Sequence, residues 1–158
     1  MSKRILFIFL SAALAAFLIF SGSCKKNNNL PPDFPEFNIN VAIDPNSTLY
    51  QQLNVVGGWM YLGYSEGIDP PSRGIIVYRW TTDQFVAFER TPPYEWNKCC
   101  YQNVCTHLIV ENYYPFVFDT CTETKFLLID GSVTEGPSPY PLLQYQTQYD
   151  GNRLYIFN

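Results

Sequence analysis

One histidine, His107, serves the whole 158-residue chain, and that scarcity excludes more chemistry than any motif present. Ser/His/Asp catalysis would have to run through this single residue, and no Gly-x-Ser-x-Gly elbow is available to position a nucleophile. A Gly-rich phosphate loop and a metalloprotease helix motif are also lacking. Asp119 and Glu123 could flank a substrate, but acidic loop residues are ordinarily just solvated. Basic residues are few beyond residue 29, six against 14 acidic, a balance of −8. A domain of that charge is repelled by nucleic-acid phosphates. The sequence therefore reads as that of a protein that is not an enzyme and binds no nucleic acid.

The first part of the chain reads as an address. Lys3 and Arg4 precede Ile5–Phe20, sixteen residues with only Ser11 polar, and Ser21-Gly22-Ser23-Cys24 follows. A basic start, a short apolar run and small residues before a cut site spell a secretory signal. The run is shorter than the ~20 apolar residues of a spanning helix. The cysteine directly after the small residues resembles a bacterial lipoprotein signal over residues 1–23, with Cys24 carrying the lipid. Ser21 departs from the Leu or Val commoner at that place. The expected location is the cell envelope, with Cys24 anchored in a bacterial membrane, taken as the outer membrane, and the domain facing the periplasm or the surface.

Cleavage would leave 135 residues, enough for one domain with a core. Residues 24–36 read as the lipidated cysteine and a flexible tether, since KKNNNLPPDFPE carries three prolines and only Leu30 and Phe34 as large apolar side chains. A tether of about 12 residues reaches about 40 Å from a membrane surface. Lys25 and Lys26 suit its headgroups.

Of five cysteines, assigning Cys24 to lipid leaves Cys99, Cys100, Cys105 and Cys121. An even number in an oxidising compartment suggests two disulfides. A bridge between the neighbours Cys99 and Cys100 would strain the backbone, so each is expected to pair elsewhere.

Residues 37–158 read as β throughout. Phe37, Ile39, Val41 and Ile43 alternate with small or polar residues, the period of a half-buried strand. Trp59–Tyr64, Gly74–Trp80, Gln84–Glu89, Val104–Glu111, Tyr114–Phe118, Lys125–Ile129 and Leu142–Gln148 are further strand-like runs separated by turn residues. Asp150-Gly151 marks a hairpin turn before the returning strand Arg153–Phe157. The expected fold class is all-β, a small antiparallel sandwich or barrel. Of 27 aromatic residues, four belong to the signal. Most of the others suit a β core, while Trp59, Tyr61, Trp96, Tyr113 and Tyr114 could instead form a stacking surface.

One segment carries a more specific pattern. Asp119–Pro137, DTCTETKFLLIDGSVTEGP, places Phe126, then Gly131 and Val133, then Gly136-Pro137, and Leu142 and Tyr145 continue the frame. Upstream, FVAFER at Phe85–Arg90 leads into Thr91-Pro92-Pro93-Tyr94. In order and spacing, residues 55–157 resemble a Rieske iron–sulfur domain, with residues 37–158 as the Rieske-like domain. In that family a Cys-x-His loop and a Cys-x-x-His loop hold a two-iron cluster, and a proline loop covers it. The resemblance aligns Pro92, Tyr94, Asp119 and Thr122 with the four ligands, and none of them is a cysteine or a histidine. A Rieske centre needs two of each, so the cluster implied by the family is not expected here. The family often bridges its two cluster loops, and Cys121 stands at one end of that bridge. Its partner would be Cys99 or Cys100, leaving Cys105 for the other.

Four thiolates can also hold zinc or a cluster. Adjacent cysteines do not easily face one metal, however, and the Cys-x-x-Cys frame is absent. His107 reads as an ordinary half-exposed strand residue. The preferred expectation is a lipid-anchored interaction or structural module, presenting Tyr94, Trp96 and Tyr101 to an envelope protein partner. One alternative is electron transfer through a metal held by non-standard ligands. The other is a small carbohydrate- or peptide-binding envelope protein.

Overall fold

Two consecutive strands buried on both faces organise the molecule. β3 (Ile75–Arg79) is buried at every position and β4 (Phe85–Glu89) at all but Val86. Successive side chains of a strand point to opposite faces, so such a pair must separate two cores. Ile75, Val77, Phe85 and Ala87 enter one core, while Ile76, Tyr78 and Phe88 enter the other.

The computed structural model describes residues 29–102, 104–112 and 115–158. The signal, Cys24 and the first tether residues lie outside these. The chain is all-β and antiparallel, and its largest sheet curls into a half-barrel. That sheet has six strands. β1 (Asn40–Ile43) lies beside β12 (Leu154–Phe157), then come β11 (Gln144–Tyr149), β4, β3 and β2 (Trp59–Leu62). Its concave face encloses the first core, to which β1 and β12 contribute Val41, Ile43, Leu154 and Ile156. Each such side chain removed from water contributes about 2 kcal/mol. Asn158 ties the end of the chain to its start: its Oδ1 accepts from the Ile39 amide at 2.9 Å, and its Nδ2 donates to the Phe37 carbonyl.

Between β4 and β11 the chain makes an excursion. It forms a two-residue hairpin, β5 (Cys100–Tyr101) with β6 (Val104–Cys105), and then a second sheet. That sheet runs β10 (Val133–Glu135), β9 (Thr124–Leu127), β8 (Phe116–Asp119), β7 (Ile109–Val110). Val110, Val117, Phe126 and Leu128 close the second core against the outer face of β3 and β4. Gly131 shows how tight the closure is. Its φ is 73°, and a Cβ there would lie 2.8 Å from Phe88 Cε1. Only glycine meets both demands.

Most expected strands are present with trimmed ends, and three departures have local causes. Val104–Glu111 is two short strands, because Leu108 turns inward at full burial and its amide donates to the Arg90 carbonyl at 2.8 Å. His107, expected in a strand, therefore sits in the exposed link between them. Thr48–Asn54 forms 3₁₀ turns that bury Leu53, and Val133–Glu135 adds a strand; neither was expected. Packing also begins before residue 37: Phe34, assigned to the tether, meets Phe37 edge-on at 5.6 Å and lies on the first core.

Candidate functional site

The two loops singled out by sequence come together at one end of the excursion, and a covalent bond joins them. Cys99, on the chain leaving Thr91–Tyr94, is bridged to Cys121 in the Asp119–Thr124 loop, with Cα atoms 5.9 Å apart. Cys100 pairs with Cys105, its register partner in the β5–β6 hairpin. All four cysteines among the described residues are thus spent in disulfides, and of the two partners left open for Cys121, Cys99 is the one used.

At the four aligned positions the side chains satisfy one another or the fold. Asp119 is 1% exposed; its Oδ1 accepts from the Cys121 amide at 3.0 Å and its Oδ2 from the Thr122 hydroxyl at 2.6 Å. Thr122 and Thr124 hydroxyls then pair at 2.8 Å. A short acidic side chain folding back on its own loop is the usual way Asp organises a turn. Pro92 and Pro93 are buried, and Tyr94 is half-buried. Among the described residues no group of three or more His, Cys, Asp or Glu side chains is arranged to hold a metal. A Rieske cluster does not fit this donor set: no thiolate is free, proline offers no donor, and Asp119 and Thr122 are engaged with each other.

The first loop is held from below by a carboxylate that composition alone does not single out. Glu89 is fully buried and accepts five hydrogen bonds. Oε1 takes the Arg73 amide and the Thr91 amide, both at 2.9 Å, and the Thr91 hydroxyl at 2.7 Å. Oε2 takes the Ser72 and Tyr145 hydroxyls, both at 2.7 Å. A buried charge of this kind is tolerable only when donors surround it. Burial, and then the adjacent Glu89 charge, push the Tyr145 hydroxyl well above the usual tyrosine range. The alternation of β4 marks Glu89 in the sequence, because it shares the inward face of Phe85 and Ala87.

Two arginines tie the excursion to the large sheet. The Arg90 guanidinium lies 3.7 Å from the centre of the Tyr61 ring, and its Nε donates to the Leu108 carbonyl at 3.2 Å. Tyr61 in turn accepts from the Val110 amide at 2.8 Å. Arg73 donates to the Trp96 carbonyl at 2.7 Å and to the Thr106 carbonyl at 2.5 Å, and its Nη2 lies 3.8 Å from Cys100 Sγ. Burial pushes both guanidinium groups down, while neighbouring Glu89 opposes the shift in each. Desolvation, then Arg90 and Arg73, push the His107 imidazole below its ordinary value.

The aromatic residues proposed as a contact surface divide. Tyr101 is 76% exposed, as is its neighbour Val104 at 74%. Tyr94 and Trp96 are half-buried, and the Trp96 indole N–H is enclosed without a partner. Of the five residues considered for stacking, Trp59 and Tyr61 pack edge-on at 5.1 Å against the second core, and Tyr113 and Tyr114 lie outside the described residues. A groove of about 310 Å³ opens elsewhere, lined by Trp80, Phe85, Thr147 and Tyr149. No protein-family model, curated protein or solved structure matches this chain.

Proposed function

We propose that this chain is a lipid-anchored module of the bacterial cell envelope, built on a Rieske-like frame whose cluster end is closed by disulfides and used for recognition or structure. The observation that carries this reading is the Cys99–Cys121 bridge, which joins the two loops that the resemblance aligns with the cluster loops. The remaining contacts agree. Asp119 and Thr122 are bonded to each other at 2.6 Å. The Gly136-Pro137 segment abuts the second loop so closely that a Cβ at Gly136 would lie 2.6 Å from Thr124 Cα. Next to this closed end, the cross-linked hairpin holds Tyr101 and Val104 out in solvent. A rigid exposed aromatic is an effective contact residue, because little side-chain and loop entropy remains to be lost on binding. The partner expected for it is another envelope protein, and the anchor expected for the chain is Cys24.

Full-length protein purified from its own host tests this. Negligible iron and zinc and a colourless sample are the expected results. Visible absorption that reduction bleaches would overturn the reading and favour electron transfer. Cys24→Ala should move the chain from the detergent phase to the aqueous phase; unchanged partition would argue for a spanning anchor.

A further inference from the structure

The two disulfides sit side by side in sequence, yet their surroundings differ in a way that bears on reactivity. Cys99–Cys121 joins loops 22 residues apart, and among the described residues Arg73 donates to Cys100 Sγ and to neither sulfur of this bridge. Cys100–Cys105 spans five residues in a hairpin whose β5 is fully exposed. Against Cys100 Sγ, at 3.8 Å, stands Arg73 Nη2. That guanidinium is not free to leave, since the Trp96 and Thr106 carbonyls hold it from two sides. It forms no ion pair among the described residues, although Glu89 and Asp119 both favour its charge. A fixed cation beside one sulfur of a disulfide between exposed Cys100 and half-buried Cys105 does little for the closed bridge. It stabilises a thiolate formed there.

We propose that Cys100–Cys105 is a thiol–disulfide exchange site for a dithiol, with Cys100 the leaving sulfur and Arg73 its positioning residue. One thiolate of the dithiol attacks Cys105 Sγ. The Cys100–Cys105 bond breaks, and its electron pair departs on Cys100 as a thiolate beside Arg73. The dithiol's second sulfur, giving up its proton, then attacks the mixed disulfide and releases Cys105, which takes up a proton. The dithiol ends as a disulfide, and two electrons and one proton have passed to the bridge, leaving Cys100 a thiolate and Cys105 a thiol. Low leaving-group pKa accelerates such exchange, and a neighbouring guanidinium lowers thiol pKa. Reduction frees the hairpin that holds Tyr101 and Val104 while the loop-joining bridge stays closed. This assignment rests on Arg73 and the bridge alone, and so stands or falls apart from the recognition role.

The experiment uses the oxidised full-length chain, exposed to graded dithiothreitol at neutral pH, quenched with acid, alkylated and mapped by peptide mass. Cys100 and Cys105 should be alkylated while Cys99–Cys121 remains intact. In the selectively opened protein, the alkylation rate of Cys100 should reach half its maximum at a lower pH than that of Cys105. A mixed disulfide trapped with a large monothiol should sit on Cys105. Arg73→Gln should slow opening by about tenfold and Arg73→Lys should restore part of the rate. Earlier opening of Cys99–Cys121, a mixed disulfide on Cys100, or equal pH profiles for the two thiols would each overturn the proposal. The last two are measured on the wild-type chain, so they decide the matter even if Arg73 variants fail to fold.

Discussion

The large sheet and the tip of the excursion hold themselves together by opposite means. In the half-barrel, β3 and β4 separate two apolar cores, and the region contains no disulfide. Its one buried carboxylate, Glu89, is held by five donors. At the tip, β5 and β6 are two residues each and largely exposed, and both disulfides are found there or in the adjoining loop. The difference follows from size. A unit too small to bury a core supplements it covalently, whereas a sheet with two filled faces stands on burial and satisfied polar groups.

The contrast breaks most sharply at Glu89. Glu89→Leu would leave five donors facing a hydrocarbon, at 1–3 kcal/mol for each that stays unpaired. The expected loss is about 5 kcal/mol, comparable to the total stability of a small domain. Urea unfolding followed by tryptophan fluorescence would measure it. A loss under about 1 kcal/mol would show that the network is dispensable and that the large sheet stands on its apolar cores alone.

Next in size are the bridges. Serine at both Cys99 and Cys121 should cost about 3 kcal/mol, against about 2 kcal/mol for serine at both Cys100 and Cys105, because the longer closed loop restricts the unfolded chain more. Amide exchange should sharpen the comparison: the first pair should loosen β8 and β9 while leaving β3 and β4 protected. Equal melting temperatures for the two variants would remove loop closure as the reason the tip is cross-linked.

The smallest effect lies at the junction, where His107 stands near Arg90 and Arg73. Its folded pKa is lowered, by desolvation first, so the folded state prefers the neutral ring. As pH falls below about 6.5 the unfolded chain takes up a proton that the folded chain resists, and stability declines. His107→Gln should flatten that decline by about 0.5 kcal/mol at most, because the ring is exposed. An unchanged slope between pH 7 and 5 would count against any electrostatic link from the two arginines to this ring.

The strands were legible because their signals are local. Alternation in Phe37–Ile43, the apolar run at Gly74–Trp80 and the Asp150-Gly151 turn each specify pleated backbone without help from distant residues. Val104–Glu111 misled for the same reason: nothing local shows that the Arg90 carbonyl will capture the Leu108 amide. The site was half legible. Cys121 and the Asp119–Thr122 loop stood out by spacing, but Arg73 did not, since its partners are carbonyls 23 and 33 residues away and carry no sequence identity. Tyr94 and Trp96 illustrate the converse, because exposure of an aromatic is decided by its neighbours. Only Tyr101 of the three is displayed.

By itself the sequence determined the antiparallel β class, the acidic charge balance, the supply of four thiols and the absence of cluster ligands at the aligned positions, since composition and period-two patterning depend only on the residues in place. Tertiary structure decided how those thiols pair, which aromatic faces water, and that Arg73 comes to rest 3.8 Å from Cys100 Sγ. Pairing and proximity depend on where distant strands bring their loops, and that is set by the filling of two cores, which no local pattern encodes.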